Sequence, residues 1–267
     1  GWQFEAYHDF GSGKVLEIEQ GRTNRDLFYA AVQQSSISTL HKSTDGGITW
    51  TAISGLPSNW QKMEIALNPS DDNDIWVIKA NAGEIKRSLD GGGTWSDVGN
   101  GLQNEQLHDI VCLGGAGSIA ISRTNVFHRA TGENSWTSFD SGTPELWMPL
   151  ECIPFYRDAV LRLGDKGKGI WQADFPFVPE PIAQPMTSKQ EVFCPSDIVQ
   201  FDCHSILVHE GASWAWSFDP EAEWVSDSDS RNPTVRFGQA GDYDVTLTVT
   251  DAEGNTNVPS SISLFYD

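Results

Sequence analysis

Three kinds of side chain in this sequence have chemistry to offer a ligand: carboxylates, aromatic rings and one loop arginine. Asp9, Glu105 and Glu145 stand in polar stretches between apolar runs, and Asp45 and Asp90 stand in a stretch that occurs twice, "STDGGITW" at 43–50 and "SLDGGGTW" at 88–95. Two carboxylates about 5–9.5 Å apart suffice to hydrolyse a glycosidic bond. Tyr7, Trp60 and Trp147 are rings in the same kind of polar stretch, and Arg123 lies in another, "SRTN"; these four are candidate ligand-binding residues, and the nearly matching places of Trp60 and Trp147, 10 and 11 residues after Trp50 and Trp136, equally suit a shared packing role. No Ser-His-Asp spacing, phosphate-cradling glycine loop or H-E-x-x-H is present, so those enzyme classes find no support.

The elements that must carry these residues follow from a repeat. With the Trp of each boxed stretch as origin, position +24 falls at Asp26, Asp74, Ile119 and Val160 for Trp2, Trp50, Trp95 and Trp136, and each opens a two-strand hairpin. The hairpins end at Ser43, Ser88, Ala130 and Ala173, spaced by 45, 42 and 43 residues. "VLEI", "MEIAL", "DIVCL" and "LECI" precede them as first strands, and a last strand begins at each Trp. Gly, Pro, Asn and Asp clusters separate the runs and no helical period competes. A four-stranded unit of this length, unable to bury both faces alone, is a β-propeller blade. The predicted fold class is all-β: about four blades over residues 1–175, a linker at 176–185 and a second domain at 186–267.

The boxed stretches resemble the Asp-box (BNR) repeat, S-x-D-x-G-x-T-W, of sialidase, sortilin and xyloglucanase propellers. The match is complete at Ser43, Asp45, Gly47, Thr49 and Trp50, and at Ser88, Asp90, Gly92, Thr94 and Trp95. The third copy, "RATGENSW", keeps only Ser135 and Trp136. The resemblance implies structural turns: the Asp accepts backbone N–H groups, Gly takes a positive φ and the Trp packs between blades. It also implies a binding face opposite the boxes, where Arg123 is the one propeller arginine in a loop. A sialidase-type clamp of three arginines is therefore absent from this segment.

"PFVPEPIAQP" at 176–185 holds four prolines and reads as a stiff linker. Beyond it, "WAWSF" at 214–218 and "NPTVRFGQAGDYDVTLTVTDAEGN" at 232–255 resemble the PKD domain, an immunoglobulin-like β-sandwich. Trp214, Trp216 and Phe218, and Tyr243, Val245, Leu247 and Val249, recur at every second position and are predicted to form its core. Where that family writes G-D-G, this chain has Asp219, Pro220 and Glu221.

The 267 residues carry 37 acidic and 17 basic side chains, a formal charge of −20. Such a surface repels phosphate backbones and anionic lipid, which argues against nucleic-acid binding and membrane adsorption. No apolar run is long enough for a membrane span. No cofactor is indicated; the run "SDSDS" at 226–230, with Glu221 and Glu223, is a candidate calcium loop without defined ligand spacing. Of Cys112, Cys152, Cys194 and Cys203, the pair Cys194 and Cys203 is the expected disulfide, being near in sequence, with a bridge between Cys112 and Cys152 as a weaker expectation.

These readings give two expectations of function. One is a secreted or cell-surface binding or adhesion module whose propeller loops contact an extracellular glycan or protein, with the PKD domain as spacer or contact domain. The other is the C-terminal part of a secreted polysaccharide-degrading hydrolase. Ring closure is expected either from "GWQFEAY" or from further N-terminal blades of the same protein, the latter favoured. If the box rings are buried, Trp50→Ala and Trp95→Ala should each cost about 3–5 kcal/mol in denaturant melts.

Overall fold

A computed structural model describes residues 8–80, 82–139, 149–194, 196–257 and 260–266. They form two compact units: residues up to Pro154 with Val160–Val178, and Phe155–Ala159 with Pro179 onward. The last crossing from the first unit to the second, after Val178, falls inside the proline-rich stretch. Among the described residues there is no helix long and apolar enough to cross a membrane.

The first unit repeats one antiparallel sheet. Its first copy is β1 (Lys14–Gln20), β2 (Phe28–Gln34), β3 (Ile37–Ser43) and β4 (Thr51–Ala52), and its second is β5 (Met63–Asn68), β6 (Asp71–Lys79), β7 (Glu84–Ser88) and β8 (Ser96–Asp97). The third is β9 (Leu107–Cys112), β10 (Gly117–Ser122), β11 (Val126–Ala130) and β12 (Thr137–Ser138). The fourth, among the described residues, is β13 (Pro149–Phe155), β14 (Val160–Asp165) and β15 (Gly169–Asp174). Strands pair in chain order, as the meander of a β-propeller blade does. Residues 1–7, on which one of the two ring closures turns, lie outside the described residues.

Packing concentrates between sheets. Tyr29, Leu40, Met63, Ile65, Ile75 and Val77 join the first sheet to the second, while Ala66, Ile78, Ile85, Ile110, Ala120 and Phe127 join the second to the third. Polar bonds cross the same seams. Asp72 of β6, only 3% exposed, accepts the N–H groups of Arg22 (2.7 Å), Thr23 (3.0 Å) and Asn24 (2.6 Å) and the Thr23 hydroxyl (2.5 Å), all from the turn after β1.

In the second unit two sheets face each other. One has the order β16 (Pro185–Thr187), β18 (Val199–Cys203), β21 (Thr234–Arg236), β20 (Trp224–Val225); the other β17 (Glu191–Val192), β23 (Ser260–Tyr266), β22 (Gly241–Thr250), β19 (Ser213–Asp219). Trp214, Trp216 and Phe218 pair across β19 and β22 with Val249, Leu247 and Val245. Trp216, Val245, Leu247 and Val249 belong to the core, together with Phe201, Phe237 and Tyr243, and Trp214 and Phe218 pack against it half-buried, so period-2 patterning located it.

The cysteine expectation is corrected. All four cysteines are free thiols. Cys203 is buried in β18, whereas Cys194 is exposed just beyond β17, which belongs to the opposite sheet, and its Sγ lies 3.1 Å from Ser196 Oγ. The short connection between them crosses from one sheet to the other, so closeness in sequence is not closeness of side chains. Cys112 and Cys152 are both buried, and the Cys112 thiol donates to Gly117 O at 3.9 Å.

The three box rings differ. Trp136 is 5% exposed, sits edge-on to Trp76 at 6.1 Å and donates from Nε1 to Val98 O at 2.7 Å. Trp95 and Trp50 are half-buried. The penalty expected of a buried ring therefore moves to the degenerate third copy. Trp136→Ala should cost about 3–5 kcal/mol in urea melts and Trp50→Ala roughly half that or less; equal costs would show that exposure does not set the order.

Candidate functional site

The two boxed turns are self-contained. In the first, Ser43 Oγ donates to Asp45 Oδ1 (2.8 Å) and accepts Gly47 N (2.9 Å), while Thr49 donates its N–H to Asp45 Oδ1 (2.9 Å) and its hydroxyl to Oδ2 (2.5 Å). The second repeats this through Ser88, Asp90, Gly92 and Thr94 at 2.7–2.8 Å. Gly47 and Gly92 hold φ of 91° and 98°, a region that side chains resist. Bonds from Thr49 to Asp45, and from Thr94 and Ser88 to Asp90, lower both carboxyls to about 2. Acids so engaged are turn formers; their oxygens are taken.

A second set of acids lies on the first strands, where sequence reading assigned no function. Glu17 of β1 accepts Ile65 N of the next sheet and lies against Glu64, and Asp109 of β9 accepts Ile110 N (2.7 Å) and Cys152 N (2.6 Å) of β13. Burial pushes Asp109 up to about 7 against the pull of those two N–H groups, and burial likewise lifts Glu19 to about 7. Glu17 and Glu64 are both raised, first by burial; Glu17, the more strongly shifted, holds the proton between them. The signal was available: Glu17, Glu64, Asp109 and Glu151 follow Trp2, Trp50, Trp95 and Trp136 by 14 or 15 residues. Among the described residues no group of three or more His, Cys, Asp or Glu is arranged to hold a metal ion. In the candidate calcium loop, Asp227 accepts Asp229 N at 3.0 Å and Glu223 pairs with Arg236 at 3.3 Å.

A groove of about 700 Å³ is formed by the β6–β7 turn and the loop from β8 to β9. Ala82, Gly83 and Gly99 line it, and Asn100, Gln103, Asn104, Gln106, Glu84, Asp97 and Glu105 supply polar groups. β7 starts in this groove at Glu84 and ends in the second box at Ser88, so the groove opens at the end of the sheet opposite the boxes, the face on which a binding site was expected. Lys79 engages Glu84 (2.7 Å) and Lys86 engages Asp97 (3.1 Å).

The predicted ligand-binding residues divide. Arg123 is exposed and donates its backbone N–H to Gln106 O at 2.9 Å, which puts it beside the groove loop. Trp60 is fully buried among Tyr29, Leu40 and Met63, so the ligand-binding expectation for it is corrected: its ring packs. Tyr7 and Trp147, with Glu145, lie outside the described residues. Asp9 is exposed and accepts Gly11 N at 2.7 Å in its own turn.

With the geometry in hand, comparison with known proteins is informative for one unit. Residues 178–264 match the family model of the PKD domain. The second unit is a PKD domain. No curated protein sequence matches the chain. Among solved structures it is similar to YCF48 from Cyanidioschyzon merolae, at 12% identity over 73% of this chain and 69% of that one, with TM-score 0.45. It is also similar to the extracellular domain of the putative one component system BT4673 from B. thetaiotaomicron (8% identity, 95% and 37%, TM-score 0.45) and to the GH74 xyloglucanase from Xanthomonas campestris (18%, 69% and 28%, TM-score 0.45). The chain spans less than two fifths of the length of the last two. The blades and the PKD domain together make the protein all-β.

The raised first-strand acids have a definite sign. A carboxyl that keeps its proton to about 7 when folded, and loses it near 4 when unfolded, makes folding take up a proton between those values. Stability therefore falls as pH rises from about 4 through 7, and the loss is complete above that. Asp109→Asn should flatten the decline by on the order of 2–4 kcal/mol between pH 5 and pH 8, read as denaturation midpoints; an unchanged slope would assign the dependence elsewhere.

Proposed function

We propose that this chain is a binding module of an extracellular or cell-surface protein, in which the groove at the blade loops takes a neutral glycan and the PKD domain acts as spacer or second contact surface. The observation that supports this reading is the composition of the groove. Asn100, Gln103, Asn104 and Gln106 bring four amides to one concavity of about 700 Å³; Asn100 and Gln103 bond to each other (3.4 Å) and to Asn134 O and Gly101 N (both 3.2 Å), which leaves each a second amide hydrogen and lone pair for a ligand. Vicinal sugar hydroxyls, which both donate and accept, complement such amides. Lysine pairing of Glu84 and Asp97 removes two of the three acids from competition, so the groove favours hydroxyls over cations. A PKD domain next to blades also suits display outside the cell, where modular chains need spacers. Glycans and proteins remain the two classes of partner for the loop face, and the amide set favours the glycan.

The second reading, a segment of a polysaccharide-degrading hydrolase, draws on Glu105 in the same groove. A hydrolase needs a second carboxylate facing the same bond, and the other two in the groove are ion-paired.

Titration calorimetry with neutral β-glucan oligosaccharides tests the proposal. Binding is expected, and Gln103→Ala with Asn104→Ala should weaken it at least tenfold, about 1.4 kcal/mol. No binding to any neutral glycan would sink it. Release of reducing ends, abolished by Glu105→Gln, would instead favour the hydrolase.

A further inference from the structure

Between the second and third sheets lies a small cavity, far smaller than the groove. Its walls are Asp74, Trp76 and Arg87 on one side and Cys112, Gly114, Gly117, Ser118 and Arg129 on the other, and its volume of about 30 Å³ leaves room for a water-sized species. Three polar atoms of its lining residues are buried without a hydrogen-bond partner among the described residues: Trp76 Nε1, Arg129 Nη1 and Ser118 Oγ. Trp76 is 4% exposed and Ser118 fully buried. A buried donor left unpaired costs on the order of 1–3 kcal/mol, and three around one cavity call for a shared acceptor.

Charge narrows the choice of acceptor. Arg87 stacks on Trp76 at 4.5 Å and is neutralised by Asp74 through two bonds of 2.7 Å. Arg129 lies 5.7 Å from the same ring and makes no ion pair among the described residues; its Nε donates to the Glu133 carbonyl at 2.9 Å, while the Glu133 carboxylate accepts Ala130 N at 3.0 Å. The cavity thus borders one uncompensated positive charge. Burial and the neighbouring Arg87 both press Arg129 toward losing its proton, which an anion would relieve. Of the acceptors in the wall, Asp74 is already bonded to Arg87 and Asn68, and Gly117 O takes the Leu113 N–H and the Cys112 thiol, so two of the three unpaired groups, Trp76 Nε1 and Arg129 Nη1, are donors only. Gly117 shapes the wall: a Cβ there would stand 2.4 Å from Arg129 O.

We infer that this cavity is a halide-sized anion site, occupied by chloride, which ties the Trp76 side of the second sheet to the Arg129 side of the third.

Melting midpoints of the full chain in sodium chloride and in sodium gluconate at equal ionic strength, with crystals soaked in sodium bromide, test this. The midpoint should be about 2–4 °C higher in chloride, and an anomalous bromide peak should lie within bonding distance of Trp76 Nε1 and Arg129 Nη1. Arg129→Gln should abolish the chloride response. Equal midpoints in the two salts, a folded Arg129→Gln variant that responds fully, or a cavity without bromide would each overturn the assignment. If the variant does not fold, the bromide map of the unaltered chain decides.

Discussion

Stacked sheets cannot share ladder hydrogen bonds, yet each exposes backbone N–H groups at its turns and first strand. In this protein carboxylates from the neighbouring sheet take them. Asp72 binds three successive amides of the turn after β1, Glu17 binds Ile65 N, and Asp109 binds Cys152 N. The apolar seams supply most of the free energy of blade packing, being non-directional and proportional to area. The carboxylate bonds supply direction, because an unpaired buried N–H penalises any other register. Packing and register are thus set by different residues in the same interface.

This recasts the charge of the chain. An excess of acids reads at first as a solvated coat, but several of these acids serve as acceptors for the protein's own backbone. Their environments pull them in opposite directions. Asp45 and Asp90 sit in water with their oxygens saturated by turn donors, which favours the charged form. Asp109 and Glu17 have fewer donors and little water, and burial favours the neutral form. The same residue type is therefore a fixed charge at one end of a blade and a proton carrier on its first strand.

The parts legible in the sequence were those whose causes are local. Strand alternation, the period of 42–45 residues and the turn chemistry of Ser43 to Trp50 depend on neighbours in the chain, and the sheets follow them. Trp60 stood between binding and packing, because a ring in a polar stretch looks exposed until the adjoining sheet covers it. Cys194 and Cys203 were misread because the chain between them changes sheets. The box that lost its Asp kept the most buried ring, since Trp136 is held by Trp76 and Val98 O from the preceding sheet rather than by its own turn. The groove was foreseen by face and, of its lining residues, through Glu105 alone, because two separate loops assemble it.

The outermost strands β4, β8 and β12 are each two residues long. Repeated hairpins in one chain invite mispairing, in which a hairpin of one molecule lies along the edge of another. A fibril needs an edge long enough to template several consecutive backbone bonds. Two residues offer too few, so the repeat that makes these blades easy to recognise is kept from making them self-adhesive, and the chain can persist at high local concentration without polymerising along those edges.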